Sequence, residues 1–118
     1  MLNRALLVQV YLATGGTDMR KSIDGLSAIV QQSFSLDPFS SCLFVFCNKN
    51  CDKLKILQWE HNGFWLYYRR LEKGKFQWPK GNCVDPMKVG IRELGWLLDG
   101  LSLDQEQAHG KVTASAVI

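Results

Sequence analysis

Four cysteines, two histidines and a scatter of carboxylates are the residues of this 118-residue chain whose types suit metal or catalytic chemistry. Cys47 and Cys51 have three residues between them, a spacing that zinc sites tolerate, but Cys42 and Cys83 supply no second close pair. Cys42 and Cys47 lie five apart in a run expected to be a strand, so their side chains point to opposite faces. In a reducing cytoplasm such thiols act as small hydrophobes. Reduced structural cysteine is the expectation, and no metal or other cofactor is implied. A metal-dependent nuclease would need two carboxylates for Mg²⁺ and a lysine to orient water. Asp37, with Asp52 and Lys55, comes nearest. The Asp-x-x-Lys spacing sends Asp52 and Lys55 to opposite faces of a strand, and Asp37 before Pro38 suits a turn. His61 falls at a hairpin tip and His109 in the tail, so neither has an acid–base partner. No catalytic residue is assigned.

The stronger signal is basic and aromatic. Leu54 to Pro79 holds seven of the thirteen aromatics: Trp59, Phe64, Trp65, Tyr67, Tyr68, Phe76 and Trp78. Between Lys49 and Lys80 there are eight Lys/Arg against Asp52, Glu60 and Glu72, a balance of +5 in a chain of net charge +3, so the remainder is −2. A basic middle on a near-neutral chain suggests a patch that meets phosphates or an acidic partner. A solvated sheet face is the plain alternative. The candidates for phosphate contact are Arg20, Lys21, Lys53, Lys55, Arg69, Arg70, Lys73 and Lys75, and those for stacking on bases are Trp65 and Tyr67.

These residues need a scaffold. Leu6 to Ala13 is a β-favouring run, and Thr14-Gly15-Gly16-Thr17 punctuates it. Thr17 or Asp18 can cap a helix in which Met19, Ile23, Leu26, Val30 and Phe34 recur at helical spacing. Gly25 inside that helix suggests close packing against a strand. Gly15-Gly16 before a helix N-terminus, with Arg20 and Lys21 in its first turn, either cradles a phosphate or is a plain turn. Cys42 to Cys47 is continuously apolar and reads as a central strand. Next come a strand with Lys53, Lys55, Leu57 and Trp59 on one face, a His61-Asn62-Gly63 hairpin turn, and a strand from Phe64 to Arg70. Phe76 to Trp78 reads as a third antiparallel strand ended by Pro79. A second helix runs near Ile91 to Asp99 with Gly100 as its stop, although Asp85-Pro86 would also serve as a start. Trp96 is expected to pack or to mark a partner site.

The expected fold is therefore α+β: an antiparallel sheet of about five strands, one helix after the first strand and a second near the C-terminus. Residues 1–101 form a single domain, and residues 102–118 a polar, flexible tail. No apolar run approaches the ~18 residues of a membrane span. The N-terminal apolar run is short and lacks a small-residue cleavage site, so a cytoplasmic location is expected.

Four ordered stretches carry a family resemblance. They are Thr14-Gly15-Gly16-Thr17-Asp18-Met19-Arg20-Lys21-Ser22-Ile23-Asp24-Gly25-Leu26, Asp37-Pro38-Phe39-Ser40 with Leu43 to Phe46, Asp52 to Leu57, and Tyr68 to Gly74 closing on Phe76-Gln77-Trp78-Pro79. Over about residues 8 to 101 the chain resembles the short accessory TnpB proteins of the insertion sequence 66 family of bacterial transposons. These are distinct from the RNA-guided nucleases of that name. At Cys47 to Cys51 the chain departs from the family's frequent Gly and Arg, which argues further against a family-wide metal site. The resemblance implies support of transposition beside a separate, larger transposase. Three mechanisms follow: non-catalytic binding of transposon-end DNA through a basic and aromatic sheet face, docking on the transposase as a protein adaptor, and, last, metal-dependent nuclease activity.

Overall fold

The computed structural model describes residues 8–103 and shows why the apolar runs fold as they do. The order is β1 (Val10–Leu12), α1 (Ile23–Ala28) running into a π-helical turn (Ile29–Ser33), β2 (Leu43–Cys47), β3 (Lys53–Glu60), β4 (Gly63–Arg70), β5 (Met87–Val89) and α2 (Ile91–Leu98). The strands form one sheet in the order β4-β3-β2-β1-β5. This is the expected α+β arrangement of five strands and two helices, with one parallel pair, β1 with β2, among antiparallel neighbours. Helix α1 is the crossover that the parallel pair requires.

Both faces of the sheet are covered, which is why β2 is buried at every residue. Phe44, Phe46 and Leu57 pack against Leu26, Val30 and Phe34 of the α1 side. On the other face Val10, Leu12, Val45, Cys47, Leu54 and Ile56 pack against Leu94 and Leu97 of α2. These faces are called the α1 face and the α2 face below.

Four local expectations are corrected, while the His61-Asn62-Gly63 hairpin turn lies where the sequence put it. Helix α1 begins at Ile23, not after Thr17 or Asp18. A helix started there would use the carbonyls of Met19 and Lys21 to accept amides four residues on. Lys55 Nζ takes both instead, at 2.8 Å each. Gly25 does not abut a strand, since the nearest atoms to a Cβ there would belong to Lys21, at 3.2 Å.

The hairpin turn centres on His61-Asn62, both at positive φ, with Glu60 opposite Gly63. That register sets Leu57 against Leu66 and Lys55 against Tyr68. An Asn62-Gly63 turn would have set Lys55 against Arg70, a like-charge pair.

Phe76 to Trp78 is not a strand. Phe76 is 2% exposed in the α2-face core, its amide donates to the Cys51 carbonyl at 2.7 Å, and Trp78 Nε1 donates to the Ala13 carbonyl at 2.9 Å. Burying these two rings across the end of the sheet displaces pairing beside β4. The fifth strand is instead Met87–Val89, which also removes Asp85-Pro86 as a helix start. Helix α2 starts at Gly90, whose amide donates to Glu93 Oε1 at 2.7 Å, and Gly100 at φ 81° ends it. Trp96 is half-buried beneath the Arg92 guanidinium, 5.4 Å from the ring centre. The expected tail from residue 102 lies almost wholly outside the described residues, as does His109. No helix among the described residues is long and apolar enough to cross a membrane.

Candidate nucleic-acid interface

The register of β3 and β4 decides which basic and aromatic side chains share a surface. Lys53, Lys55, Leu57 and Trp59 lie on the α1 face, opposite Arg70, Tyr68, Leu66 and Phe64 respectively. Trp65, Tyr67 and Arg69 lie on the α2 face. The expected basic and aromatic surface is thus split across the sheet, with Trp65 and Tyr67 turned away from Lys53, Lys55 and Arg70.

On the α1 face, the Thr17–Arg20 loop and the Asn48–Asn50 turn meet the start of β3. Together with Lys53 and Tyr68 they line an open concavity of about 490 Å³. The sequence brings them there by close backbone approach. Thr17 N–H donates to the Cys47 carbonyl at 2.7 Å, and Gly16 lies so near Lys49 that an added Cβ would stand 2.9 Å from its Cα. Gly15, at φ 76°, is equally enclosed, with Cys83 Sγ 2.5 Å from where its Cβ would be. Six residues separate Gly16 from the helix, and neighbours fill the space beside both glycines. This is a tight turn, not a phosphate cradle at a helix N-terminus.

The cations around the concavity differ in their commitments. Arg20 forks onto Asp18 through Nε and Nη2, at 2.9 to 3.2 Å, and the Asp18 carboxylate also accepts the Arg20 amide at 2.9 Å. Those donors hold the Asp18 carboxyl down at about 2. Asn48 fixes the Asp52 side chain at 2.7 Å and lowers its pKa, and Lys53 Nζ stands 3.5 Å from it. Arg70 pairs with Glu72 at 2.8 Å, which raises the guanidinium's pKa. Lys55 is anchored to the loop and lies 5.8 Å from the Tyr68 ring centre. Lys21 and Lys49 are exposed, with no carboxylate partner among the described residues. Lys73 and Lys75 sit in the turn after β4, at the same end of the sheet, because Leu71 and Phe76 donate to the carbonyls of Asp52 and Cys51.

The α2 face carries a different set. Trp65 is 49% exposed and stacks on Tyr67, with ring centres 6.1 Å apart and planes within 13°. Trp65 Nε1 donates to Glu60 Oε1 at 3.1 Å. Burial first, then the Glu60 charge, pushes the Tyr67 phenol's pKa up. Arg69 Nη1 donates to the Leu98 carbonyl at the end of α2, so it fastens helix to sheet. Sequence reasoning missed Lys49 and Tyr68 as site residues. The alternation that pairs Lys55 with Tyr68 was the available signal for the second, and the first stood at the start of the basic stretch but in an expected turn.

The residues weighed for chemistry do not converge. Asp37 accepts the Phe39 amide at 2.9 Å in a turn before β2, while Asp52 lies beyond the other end of that strand. Cys42 packs on the α1 face and Cys47 on the α2 face with Cys51 beside it. Cys83 lies 3.7 Å from the Gly16 carbonyl. Burial, reinforced by the neighbouring Cys51, pushes the Cys47 thiol up to about 12.

Comparison with known proteins names what the geometry alone does not. The family described as IS66 Orf2-like protein (TnpB) matches residues 8–108. The chain belongs to this family. It is therefore tied to insertion-sequence transposition in an accessory role. The protein y4hO of Sinorhizobium fredii (strain NBRC 101917 / NGR234) is 34% identical over 115 residues, covering 96% of this chain and 97% of that one. The protein y4jC of the same strain is 36% identical over 72 residues, 61% of this chain and 62% of its own. No solved structure matches the chain. The loop that shapes the concavity, Thr14 to Lys21, and the strands that floor it lie within the family match.

Proposed function

We propose that this IS66 Orf2-like protein is a non-catalytic accessory factor that binds the DNA of transposon ends at the concavity on its α1 face. One observation carries the reading. Three chain segments distant in sequence bring Arg20, Lys49 and Lys53 around an exposed Tyr68, with Lys55 beside its ring, Arg70 on the same sheet face and Lys21 exposed where the loop meets the helix. Among the described residues the carboxylates paired with these cations are Asp18, Asp52 and Glu72. Lys21 and Lys49 contact phosphates directly, Arg20, Lys53 and Arg70 exchange carboxylate for phosphate, and Tyr68, 52% exposed, stacks on a base or sugar. An open basic hollow suits a phosphate backbone passing across it better than a small molecule enclosed by it.

The test is fluorescence anisotropy with single- and double-stranded transposon-end DNA across a salt series. Affinity should fall steeply with salt, and Lys21→Glu with Lys49→Glu should abolish it while the fold persists. Absence of binding at low salt would remove this reading.

A second reading, an adaptor that docks on the transposase of the same element, has its own support on the opposite face. Trp65 is exposed there and stacks on the half-buried Tyr67. Pull-down of the transposase, lost in Trp65→Ala and kept in Lys21→Glu, would favour the adaptor.

A further inference from the structure

Natural sheets blunt their edges with short strands, Lys, Pro or bulges, since an open edge recruits other strands. Strand β5 follows that pattern with three residues and Lys88. Strand β4 does not. It is eight residues long, holds no Pro and no Lys, and pairs with β3 in unbroken register from Glu60–Gly63 to Lys53–Arg70. Among the described residues no strand pairs with its outer side. The two-residue His61-Asn62 turn makes Glu60–Gly63 the first narrow pair of the hairpin. The alternation then leaves the N–H and C=O of Phe64, Leu66, Tyr68 and Arg70 pointing outward.

We infer that β4 is a self-association edge, pairing antiparallel with β4 of a second copy of this chain about a two-fold axis beside Tyr67. The charge pattern of the strand selects that occupant and that direction. Glu60 and the aromatics Phe64 and Trp65 lie at one end of the hairpin, and Arg69 and Arg70 at the other. Antiparallel pairing about Tyr67 sets Leu66 against Tyr68 of the second copy, Phe64 against Arg70 and Trp65 against Arg69. Each guanidinium end thereby meets an aromatic end. At Trp65 the Glu60 carboxylate is already in place, accepting the indole N–H. Parallel pairing would instead set the two arginine ends side by side.

A two-fold axis of this kind stands perpendicular to the sheet, so both α1 faces look the same way. The two Arg70 residues then stand six residues apart along the strands, about 20 Å at ~3.3 Å per residue. If the concavities bind DNA, the pair presents two of them to one duplex; that consequence rests on the DNA reading, and the association does not.

The test is sedimentation equilibrium of the full chain without DNA. A monomer–dimer equilibrium is expected. Tyr68→Pro removes one outward amide without touching the β3 ladder and should weaken dimerisation by about tenfold or more. Since proline can also loosen β4, a charge swap serves as the second measure. Glu60→Arg should weaken the dimer and Arg69→Glu added to it should restore association, with circular dichroism of Arg69→Glu alone showing that loss of its contact with the Leu98 carbonyl leaves the fold intact. A monomer at every concentration overturns the inference, as does a dimer that none of these changes affects. A chain that dimerises but ignores DNA keeps this inference and sinks the DNA reading.

Discussion

Replacing Lys55 by Met separates a lysine that holds the protein together from one that holds DNA. Lys55 Nζ donates to the Met19 and Lys21 carbonyls at 2.8 Å, the first in a part-buried setting and the second exposed. Met keeps the aliphatic stem and removes both donors. A charge-assisted bond in a part-buried setting contributes about 1.5–3 kcal/mol, and the exposed one much less because water replaces it. A loss of about 2 kcal/mol follows, which lowers Tm by roughly 10 °C in a domain of this size. Thermal and urea unfolding followed by circular dichroism measure it. The Thr17–Arg20 loop should loosen as well, so DNA affinity falls through misplacement of Arg20 and Lys21. If Lys55 touched phosphate itself, stability would be untouched and the salt slope would fall by about one. A Tm within about 2 °C of the parent's would refute the anchoring argument.

Phe76→Ala should cost about 3–4 kcal/mol in urea unfolding, because a 2% exposed ring leaves a cavity at the end of the sheet. A loss under about 1 kcal/mol would mean that the segment docks only loosely. The Asp18 carboxyl should titrate near 2 by NMR. Since its pKa is depressed by folding, the stability it lends is complete above 3.8 and lost as pH falls toward about 2. A midpoint near 3.8 would show that Arg20 does not hold it in solution. Cys83, exposed, should be alkylated first at mildly alkaline pH and Cys47 last, because burial keeps its thiol protonated up to about 12. Mass spectrometry reads the order, and early labelling of Cys47 would contradict its burial. Finally, Tyr68→Ala should weaken DNA binding by about 1–3 kcal/mol while Trp65→Ala leaves it within about twofold. The reverse would place the interface on the α2 face.

Hydrophobic alternation made most of this fold readable. The continuous apolar run Leu43 to Cys47 announced a strand covered on both faces, and the period-two pattern from Lys53 to Arg70 gave the face of every residue in β3 and β4. The Ile23, Leu26, Val30 and Phe34 stripe likewise named the helix residues that reach the core. What failed depended on contacts distant in sequence. The helix start moved because a lysine thirty-four residues further on captured a carbonyl. Phe76 and Trp78 have strand-like propensity, yet burial against the sheet end outweighed it. Met87 to Val89, between Pro86 and Gly90, has too few residues to show a period. At the site, charge density was visible but its partition was not. Arg69 and Arg70 are neighbours in the chain and lie on opposite faces, so a count of cations overstated what any one surface presents.

That partition bears on how much affinity the α1 face can generate. An exposed ion pair contributes about 0–1 kcal/mol, so exchanging Asp18, Asp52 or Glu72 for a phosphate costs little in stability. It gains little too, because the cation was already partly neutralised. The exposed Lys21 and Lys49, joined by Lys73 and Lys75 if the strand passes the end of the sheet, have no such carboxylate to give up among the described residues. They should dominate the counterion release, with a salt slope of roughly −3 to −4 for one chain on duplex DNA. A slope of that size supports only weak binding by a single copy. Two copies joined through β4 would double the slope on one duplex and raise affinity through effective concentration without a new contact. The salt dependence of DNA binding, measured above and below the dimerisation constant, therefore links the edge of the sheet to its basic face.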